Sequence, residues 1–188
     1  MTVSDAARAD LEARLERLEA ESEIRRVQAR YMFLCDTPNP EYGVKDDGER
    51  IERILELYTD DAVWEGVGEY YDNQFGRAVG KDEIRAHFNR FWPADQDPKL
   101  LLNAHYLTSE QIHVHDDGRH ADGQWIHFQP WLFSDGTSLI RGSRLNNLFR
   151  KVDRQWKVAR TRTENVFIVD LPNNFASDYP ALSVLMRP

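Results

Sequence analysis

The chain has 188 residues, of which 41% are hydrophobic and 30% are charged, a composition typical of a globular domain with its own core. A net charge of -8 at pH 7 excludes the clustered positive charge of a nucleic-acid interface, and no apolar run approaches the ~18 residues of a membrane span. The single cysteine, Cys35, excludes an internal disulfide, and a charged N-terminus without an apolar stretch favours a cytoplasmic protein.

The first predicted element is a helix over residues 4–34, where apolar residues recur at helical spacing. Ser4 is a plausible N-cap for this helix. Residues 1–22 are so polar that we expect them to project as an extension or to pack on a partner subunit. The helix must end near Asp36, because Pro38 follows closely.

Shorter elements follow in the first half of the chain. The apolar pattern predicts a second helix over residues 49–57, a short strand over 61–65 and a third helix over 81–91. The segments between them, residues 37–49 and 66–80, are expected to be a polar loop and irregular structure.

The second half of the chain is typical of β structure. Four long β-type runs cover residues 104–115, 120–133, 137–152 and 155–169, and short turn sequences separate them. Residues 171–188 are expected to form a tail or lid. Helices followed by a meander of long strands predict a single α+β domain over residues 1–188, with helices packed on one face of a curved antiparallel sheet.

Several segments match the motifs of one family: Ile24–Tyr31 closing on Asp36, Leu57–Trp64, Gly80–Ile84, Asp153–Val158, and a histidine at position 105. Together they resemble the SnoaL-like branch of the nuclear transport factor 2-like superfamily, over roughly residues 20–168. The resemblance implies a cone-shaped α+β barrel in which three N-terminal helices pack on a strongly curved sheet. It also implies a homo-oligomer, with a trimer favoured.

Within this branch the chain is similar to the dehydratases of scytalone and bile acids and to lindane dehydrochlorinase. These enzymes place a tyrosine, an aspartate and a histidine around the mouth of the cone. The resemblance therefore implies that Tyr31, Asp36 and His105 are catalytic residues here.

The chemistry of elimination suits these three residue types. A histidine, with an unperturbed pKa of ~6.5, can act as acid or base near neutrality, so His105 is the predicted general acid/base. Asp36 would fix its tautomer, and the Tyr31 hydroxyl would polarise a substrate oxygen. On an ideal helix Tyr31 and Asp36 lie about 140° apart, so they converge only if the helix ends or bends near Cys35.

Simpler interpretations exist for each of these residues. Tyr31 could be an ordinary core aromatic side chain, Asp36 could merely terminate the helix through local hydrogen bonds, and His105 could be a structural hydrogen-bonding residue. Their coincidence with the pattern of the family favours the catalytic interpretation.

Four further residues are predicted to bind substrate: Tyr58, Trp125, His127 and Asn146. Tyr58 is expected on the inner side of the second helix, where a core tyrosine is equally ordinary. With a two-residue turn, the residue numbers of paired positions in the first hairpin add up to 235. Position 105 then lies opposite position 130, so His127 and His105 face opposite sides of the sheet. A longer loop or a bulge would bring both histidines to one face, which we favour. Asn146 is favoured over its neighbour Asn147 as the inward-facing residue.

No metal or cofactor is predicted. His113, His115 and His120 surround a hairpin tip rich in aspartate, which solvent exposure explains better than metal binding does. No glycine-rich phosphate loop, nucleotide fingerprint or nucleophile elbow occurs in the sequence.

The sequence therefore predicts a cofactor-independent lyase that acts on a small hydrophobic, aromatic or polycyclic substrate. Dehydration and retro-aldol release of a one-carbon fragment, such as deformylation, remain equally open. The alternative is a non-catalytic protein, either a β-type subunit of a ring-hydroxylating dioxygenase or a ligand-binding module. Convergence of the three polar residues in an open cavity would favour the enzyme, whereas a cone filled with aromatic side chains would favour the alternative.

Overall fold

The computed structural model describes residues 4–38 and 41–172. The helices among these residues are α1 (Asp5–Cys35), α2 (Asp47–Glu56), α3 (Glu69–Gln74) and α4 (Gly80–Phe91). The strands are β1 (Tyr58–Val67), β2 (Arg77–Val79), β3 (Leu100–Asn103), β4 (Tyr106–Val114), β5 (His120–Phe133), β6 (Ser138–Val152) and β7 (Gln155–Asp170).

Helix α1 confirms the long helix predicted from the apolar spacing. The Ser4 side chain accepts a hydrogen bond from the Ala7 backbone N–H at 3.3 Å, so Ser4 is the predicted N-cap. The first part of the helix is exposed, whereas from Ala20 onward an apolar stripe faces the sheet, with Leu34 fully buried. The second part of the helix therefore belongs to the core.

The other two predicted helices are also present. Helix α2 begins at Asp47, two residues before the predicted start, and Asp46 caps it by accepting a hydrogen bond from the Glu49 N–H at 2.8 Å. Helix α4 agrees with the predicted helix over residues 81–91 to within one residue. The prediction of irregular structure over residues 66–80 was wrong, because α3 and β2 lie there. Elements this short show no clear period in a sequence.

The strands form one curved sheet in the order β2-β1-β7-β6-β5-β3, and β4 pairs with a further part of β5. The cone-shaped α+β fold is confirmed, but the sheet is mixed, since β1 and β7 are parallel. The prediction of a fully antiparallel sheet was wrong on this point. Hairpin turns predict antiparallel neighbours, whereas nothing local marks the pairing of two strands so far apart in the chain.

Register shifts bend the sheet around its concave face. Strands β6 and β7 change register between Gly142 and Ser143 and again between Leu148 and Phe149. A bulge of this kind increases the local bend and twist of a strand. At the first shift a Cβ atom at Gly142 would overlap the ring of Phe167, which would have to move to admit a larger residue.

The core lies between the concave face of the sheet and helices α1, α2 and α4. On β5 and β6 the buried residues are mainly odd-numbered, so these side chains point into the cone. At one end of the cone the end of α1 pairs with β3 through a bridge between Thr37 and Asn103. This junction positions the candidate site.

Among the described helices, none is both long enough and apolar enough to cross a bilayer. The tail or lid predicted over residues 171–188 lies outside the described residues from position 173 onward.

Candidate active site

The end of α1 places Asp36 against His105. Helix α1 stops at Cys35, and Asp36 has an extended backbone with φ -71° and ψ 149°, so its side chain leaves the helical spiral. Two backbone hydrogen bonds between Thr37 and Asn103, of 2.8 and 2.9 Å, hold this end against β3, two residues before His105. The condition under which the sequence predicts convergence of Tyr31 and Asp36 is therefore met.

Asp36 and His105 form a short hydrogen-bonded pair. One carboxylate oxygen, Asp36 Oδ1, accepts from the His105 backbone N–H at 2.8 Å and lies 2.6 Å from His105 Nδ1. Because a carboxylate can only accept, the ring proton lies on Nδ1, and Nε2 carries the free lone pair. Both side chains are mostly buried, with exposed fractions of 17% and 11%. The pair can thus present a fixed basic nitrogen.

An amide network holds the other side of the histidine ring. Gln129 Nε2 lies 3.2 Å from His105 Nε2 and also donates a hydrogen bond to Asn103 Oδ1. Asn103 Nδ2 in turn donates to the Cys35 carbonyl at 3.5 Å. The two hydrogens of one amide group are enough for both contacts of Gln129, so the free lone pair of His105 faces a donor.

Tyr31 lines the same cavity as His105. Its hydroxyl accepts a hydrogen bond from Trp64 Nε1 at 2.9 Å, and its ring packs edge-on against Tyr58. Burial raises the pKa of the Tyr31 phenol well above its usual value. The phenol is therefore neutral at physiological pH and is a weaker acid than an exposed tyrosine.

Tyr58 does not occupy the predicted position on α2. It is the first residue of β1, it is fully buried, and its hydroxyl lies 2.6 Å from Thr161 Oγ1. Burial also raises the pKa of this phenol. The Tyr58 ring packs against that of Tyr31, and Tyr58 is absent from the cavity wall, so it does not lie where the sequence predicted a substrate-binding residue.

His127 faces the same cavity as His105. The two imidazole rings are nearly parallel, with centroids 5.1 Å apart and an interplanar angle of 8°. Both ring nitrogens of His127 are buried without a partner among the described residues. Burial, followed by repulsion from His105 and Arg141, lowers the pKa of His127 well below its usual value. The ring is therefore a neutral polar group available to a ligand.

Trp125 and Asn146 lie away from the cavity, contrary to the prediction. The Trp125 ring points into the cone but packs edge-on against Phe149, and its Nε1 donates to Glu110 Oε2 at 3.1 Å. Asn146 points to the outer face of the sheet, where it accepts a hydrogen bond from Gln124 Nε2 at 2.8 Å. Neither side chain touches the cavity wall.

The cavity has a volume of about 70 Å³ and is walled mainly by aromatic rings. Its polar lining among the described residues consists of seven side chains besides the tyrosines: His87, Asn103, His105, His127, Gln129, Arg141 and Thr163. Five of the seven were not predicted from the sequence. The spacing of the second hairpin was the signal for two of them. The predicted strands over residues 120–133 and 137–152 leave a turn of three residues, and with such a turn the residue numbers of paired positions add up to 270. This register puts Arg141 opposite Gln129, on the face of His127.

His87 extends the aromatic wall. Its ring stacks on Trp64 with centroids 4.0 Å apart and meets Phe88 edge-on at 5.1 Å. Burial, with a smaller contribution from Arg90, lowers the pKa of His87 to about 4. This side chain is therefore neutral above pH 5 and acts as a flat aromatic surface.

The histidines at the hairpin tip are exposed, as predicted. His115 Nε2 lies 2.9 Å from Asp122, and His120 Nδ1 lies 2.6 Å from Asp117. Within residues 4–38 and 41–172, no group of three or more histidine, cysteine or acidic side chains is arranged to hold a metal ion.

Comparison with known proteins gives one family and a set of similar structures. The model of the SnoaL-like domain family matches residues 16–162. A provisionally named aromatic ring hydroxylase from Novosphingobium aromaticivorans is 20% identical with a TM-score of 0.65, covering 84% of this chain and 96% of that one. A hexachlorocyclohexane dehydrochlorinase from Novosphingobium barchaimii is 15% identical with a TM-score of 0.62, covering 84% and 93%.

A provisionally named scytalone dehydratase from Novosphingobium aromaticivorans is also similar, with 15% identity and a TM-score of 0.63. The match covers 84% of this chain and 91% of that chain. No curated protein matches the sequence. At these identities the likeness to solved structures shows the fold alone.

Proposed function

Because this chain belongs to the SnoaL-like domain family, we propose that it is a cofactor-independent lyase acting by acid–base catalysis on a small aromatic or polycyclic substrate. The observation that carries the proposal is the pairing of Asp36 with His105, which lies in the wall of an aromatic-lined cavity and whose other ring nitrogen contacts only the Gln129 amide among the described residues. A histidine oriented by a carboxylate is a general base of fixed tautomer.

In a dehydration, His105 Nε2 would take a proton from the substrate while the carbon–oxygen bond breaks. The departing hydroxyl needs a proton to leave as water, and the imidazolium formed at His105 can supply it, which restores the neutral base. His127 and Tyr31 are neutral groups in the same cavity and fit the role of hydrogen-bonding partners of the departing oxygen. Asp36 would stabilise the imidazolium that forms at His105.

A retro-aldol cleavage would use the same groups. His105 would then take the proton of a substrate hydroxymethyl group, and the carbon–carbon bond would break to release formaldehyde. The electron pair left on carbon, delocalised into an adjacent unsaturated system, would finally recover the proton from His105. This variant also balances without a redox partner, so both reactions remain within the proposal.

The non-catalytic alternative draws support from the aromatic wall of the cone and from the name of one similar structure. A filled cone would have favoured it, yet a space of about 70 Å³ remains in this cavity. A structural subunit also has no use for a neutral His127 stacked beside the His105–Asp36 pair, with neither ring nitrogen bonded to any residue that the structure describes. These features favour a site that receives a ligand.

The test is the substitution His105→Ala, assayed on a panel of hydroxylated aromatic compounds and steroids without added metal or cofactor. New conjugation is followed by absorbance, and released formaldehyde is measured in parallel. We expect turnover by the unmodified protein and a loss of at least ~100-fold in the variant.

The surface pair of His120 and Asp117 provides a matched control, because its Nδ1–oxygen distance is also 2.6 Å but it lies in solvent. His120→Ala should retain full turnover. Equal losses in both variants, or turnover that survives His105→Ala, would contradict the assignment of His105 as the acid/base.

We further propose a homo-oligomer, with a trimer favoured by the family resemblance. The outer face of the sheet exposes Tyr106, Ile126 and Phe128, and Tyr106 lies directly opposite Phe128 on the neighbouring strand. Such adjoining apolar side chains are typical of a face that a second subunit covers. Light scattering on the full chain should give a mass above that of one chain, and a monomer at micromolar concentration would refute the proposal.

A further inference from the structure

Arg141 is a buried cation in the wall of the cavity. It lies on β6 and only 1% of its surface is exposed. The guanidinium carbon is 3.8 Å from the centroid of the Trp131 ring and 5.0 Å from that of Tyr70. Burial lowers its pKa, but a guanidinium remains protonated in proteins, so a positive charge faces the interior.

No carboxylate among the described residues neutralises this charge. The Nη2 atom donates a hydrogen bond to the Tyr70 hydroxyl at 2.9 Å, and Nε is buried without a partner in the described part of the chain. Stacking on aromatic rings offsets some of the desolvation cost of a guanidinium, but it leaves an N–H donor unsatisfied. Buried charges are normally paired, so an unpaired one in a cavity wall indicates an anionic ligand.

A second buried arginine has a carboxylate partner. Arg50 is 6% exposed and lies 4.4 Å above the Trp92 ring, and its Nε forms an ion pair of 3.3 Å with Asp47 Oδ1, although Nε and Nη1 make no hydrogen bond within the described residues. It is not part of the cavity wall. The two arginines share burial and stacking on tryptophan, and they differ in the carboxylate partner and in access to the cavity.

The surroundings of Arg141 also favour an anion. The Tyr71 hydroxyl lies 2.8 Å from Ser143 Oγ, next to Arg141 on β6, so phenol and hydroxyl donors stand beside the guanidinium. Arg141 faces Gln129 directly across the hairpin, and Gln129 contacts His105 Nε2. One ligand can therefore contact both Arg141 and the proposed catalytic base.

We propose that the substrate is an aromatic carboxylate whose carboxylate group is bound by Arg141, with its ring against the aromatic wall of the cavity. This inference rests on the proposed lyase function and names its substrate class. A carboxylate is the anion of choice because the fork of N–H donors of a guanidinium matches its two oxygens.

Binding of benzoate and of its neutral analogue benzamide tests the proposal independently of turnover. Both titrations follow tryptophan fluorescence, since Trp131 stacks on Arg141, and calorimetry confirms them. We expect the unmodified protein to bind benzoate at least tenfold more tightly than benzamide. In Arg141→Gln this preference should fall to less than threefold, while the affinity for benzamide stays nearly constant.

The control Arg50→Gln removes the other buried, stacked arginine and should retain the preference for benzoate. Arg141→Lys keeps the charge and should retain part of the preference, which covers a failure of Arg141→Gln to fold. His105→Ala should lose turnover and keep the preference, so the two proposals fail separately. Equal binding of benzoate and benzamide to the unmodified protein, no binding of benzoate, or a preference that survives Arg141→Gln would overturn the inference.

Discussion

The low pKa of the buried His87 predicts a measurable dependence of stability on pH. In the unfolded chain a histidine has a pKa of ~6.5, whereas burial lowers that of His87 to about 4 in the folded protein. Between these values the unfolded state binds a proton that the folded state does not, so the free energy of unfolding falls as the pH falls. His87 therefore costs no stability above pH 6.5 and progressively destabilises the fold towards pH 4.

The magnitude follows from the two pKa values. A difference of ~2.5 pH units corresponds to about 3 kcal/mol in full, and most of it, about 2–3 kcal/mol, is reached by pH 4.5. The substitution His87→Phe removes the titrating group and retains a flat ring between Trp64 and Phe88. Between pH 7.5 and pH 4.5, the unmodified protein should thus lose about 2–3 kcal/mol more than the variant.

The assay is urea unfolding followed by tryptophan fluorescence at a series of pH values, with the free energy extrapolated to water. Carboxylates and His127 titrate in both proteins, so their contributions cancel in the difference. His113→Gln, at an exposed position on β4, is the matched control for the loss of a histidine at the surface. Parallel pH profiles for the unmodified protein and His87→Phe would refute the reasoning that burial keeps this ring neutral.

Two further predictions concern the proposed base and the bend of the sheet. Asp36→Asn should lower kcat about 10²–10⁴-fold with a small change in KM. Asp117→Asn, in the exposed pair with His120, should change neither constant. Equal effects of the two substitutions would contradict the role of Asp36 in positioning His105. Gly142→Ala should lower the free energy of unfolding by about 1–3 kcal/mol in urea titrations, because its Cβ overlaps the Phe167 ring, and an unchanged value would refute that overlap.

The sequence was informative where a pattern is local and repeated. Helical spacing and the Ser4 cap predict α1, and the turn chemistry of the second half predicts the meander of β4 to β7. The parallel pairing of β1 with β7 escaped prediction because it depends on the closure of the whole sheet. Tyr58 was misplaced because it continues the helical spacing of Ile51, Ile54 and Leu55, although α2 ends at Glu56 and β1 begins at Tyr58.

The polar wall of the cavity was predictable in part. The Asp36–His105 pair followed from the family pattern and from the end of the helix. The assignment of Asn146 to the inner face was wrong. The register of the second hairpin pairs position 143 with position 127, so the odd-numbered positions of β6 share the inner face with His127 and position 146 faces outward. The same rule identifies Arg141 as an inward-facing residue. His87 gave no such signal, because a histidine among apolar residues of a helix is ordinary.

One extra residue in β4 decides whether the site exists in this form. Near the hairpin tip, the residue numbers of paired positions in β4 and β5 add up to 235, as for Ile112 and Gly123. From Thr108 back to the start of β4 they add up to 234, as for Leu107 and His127. The extra residue lies at Ser109, whose φ of 51° is the left-handed conformation of a bulge. Without it, the sum 235 would set position 105 opposite position 130, and His105 would face away from His127. Convergence of the two histidines thus depends on the bulge at Ser109 far more than on which other residues form the two strands. For this reason the sequence left both registers open.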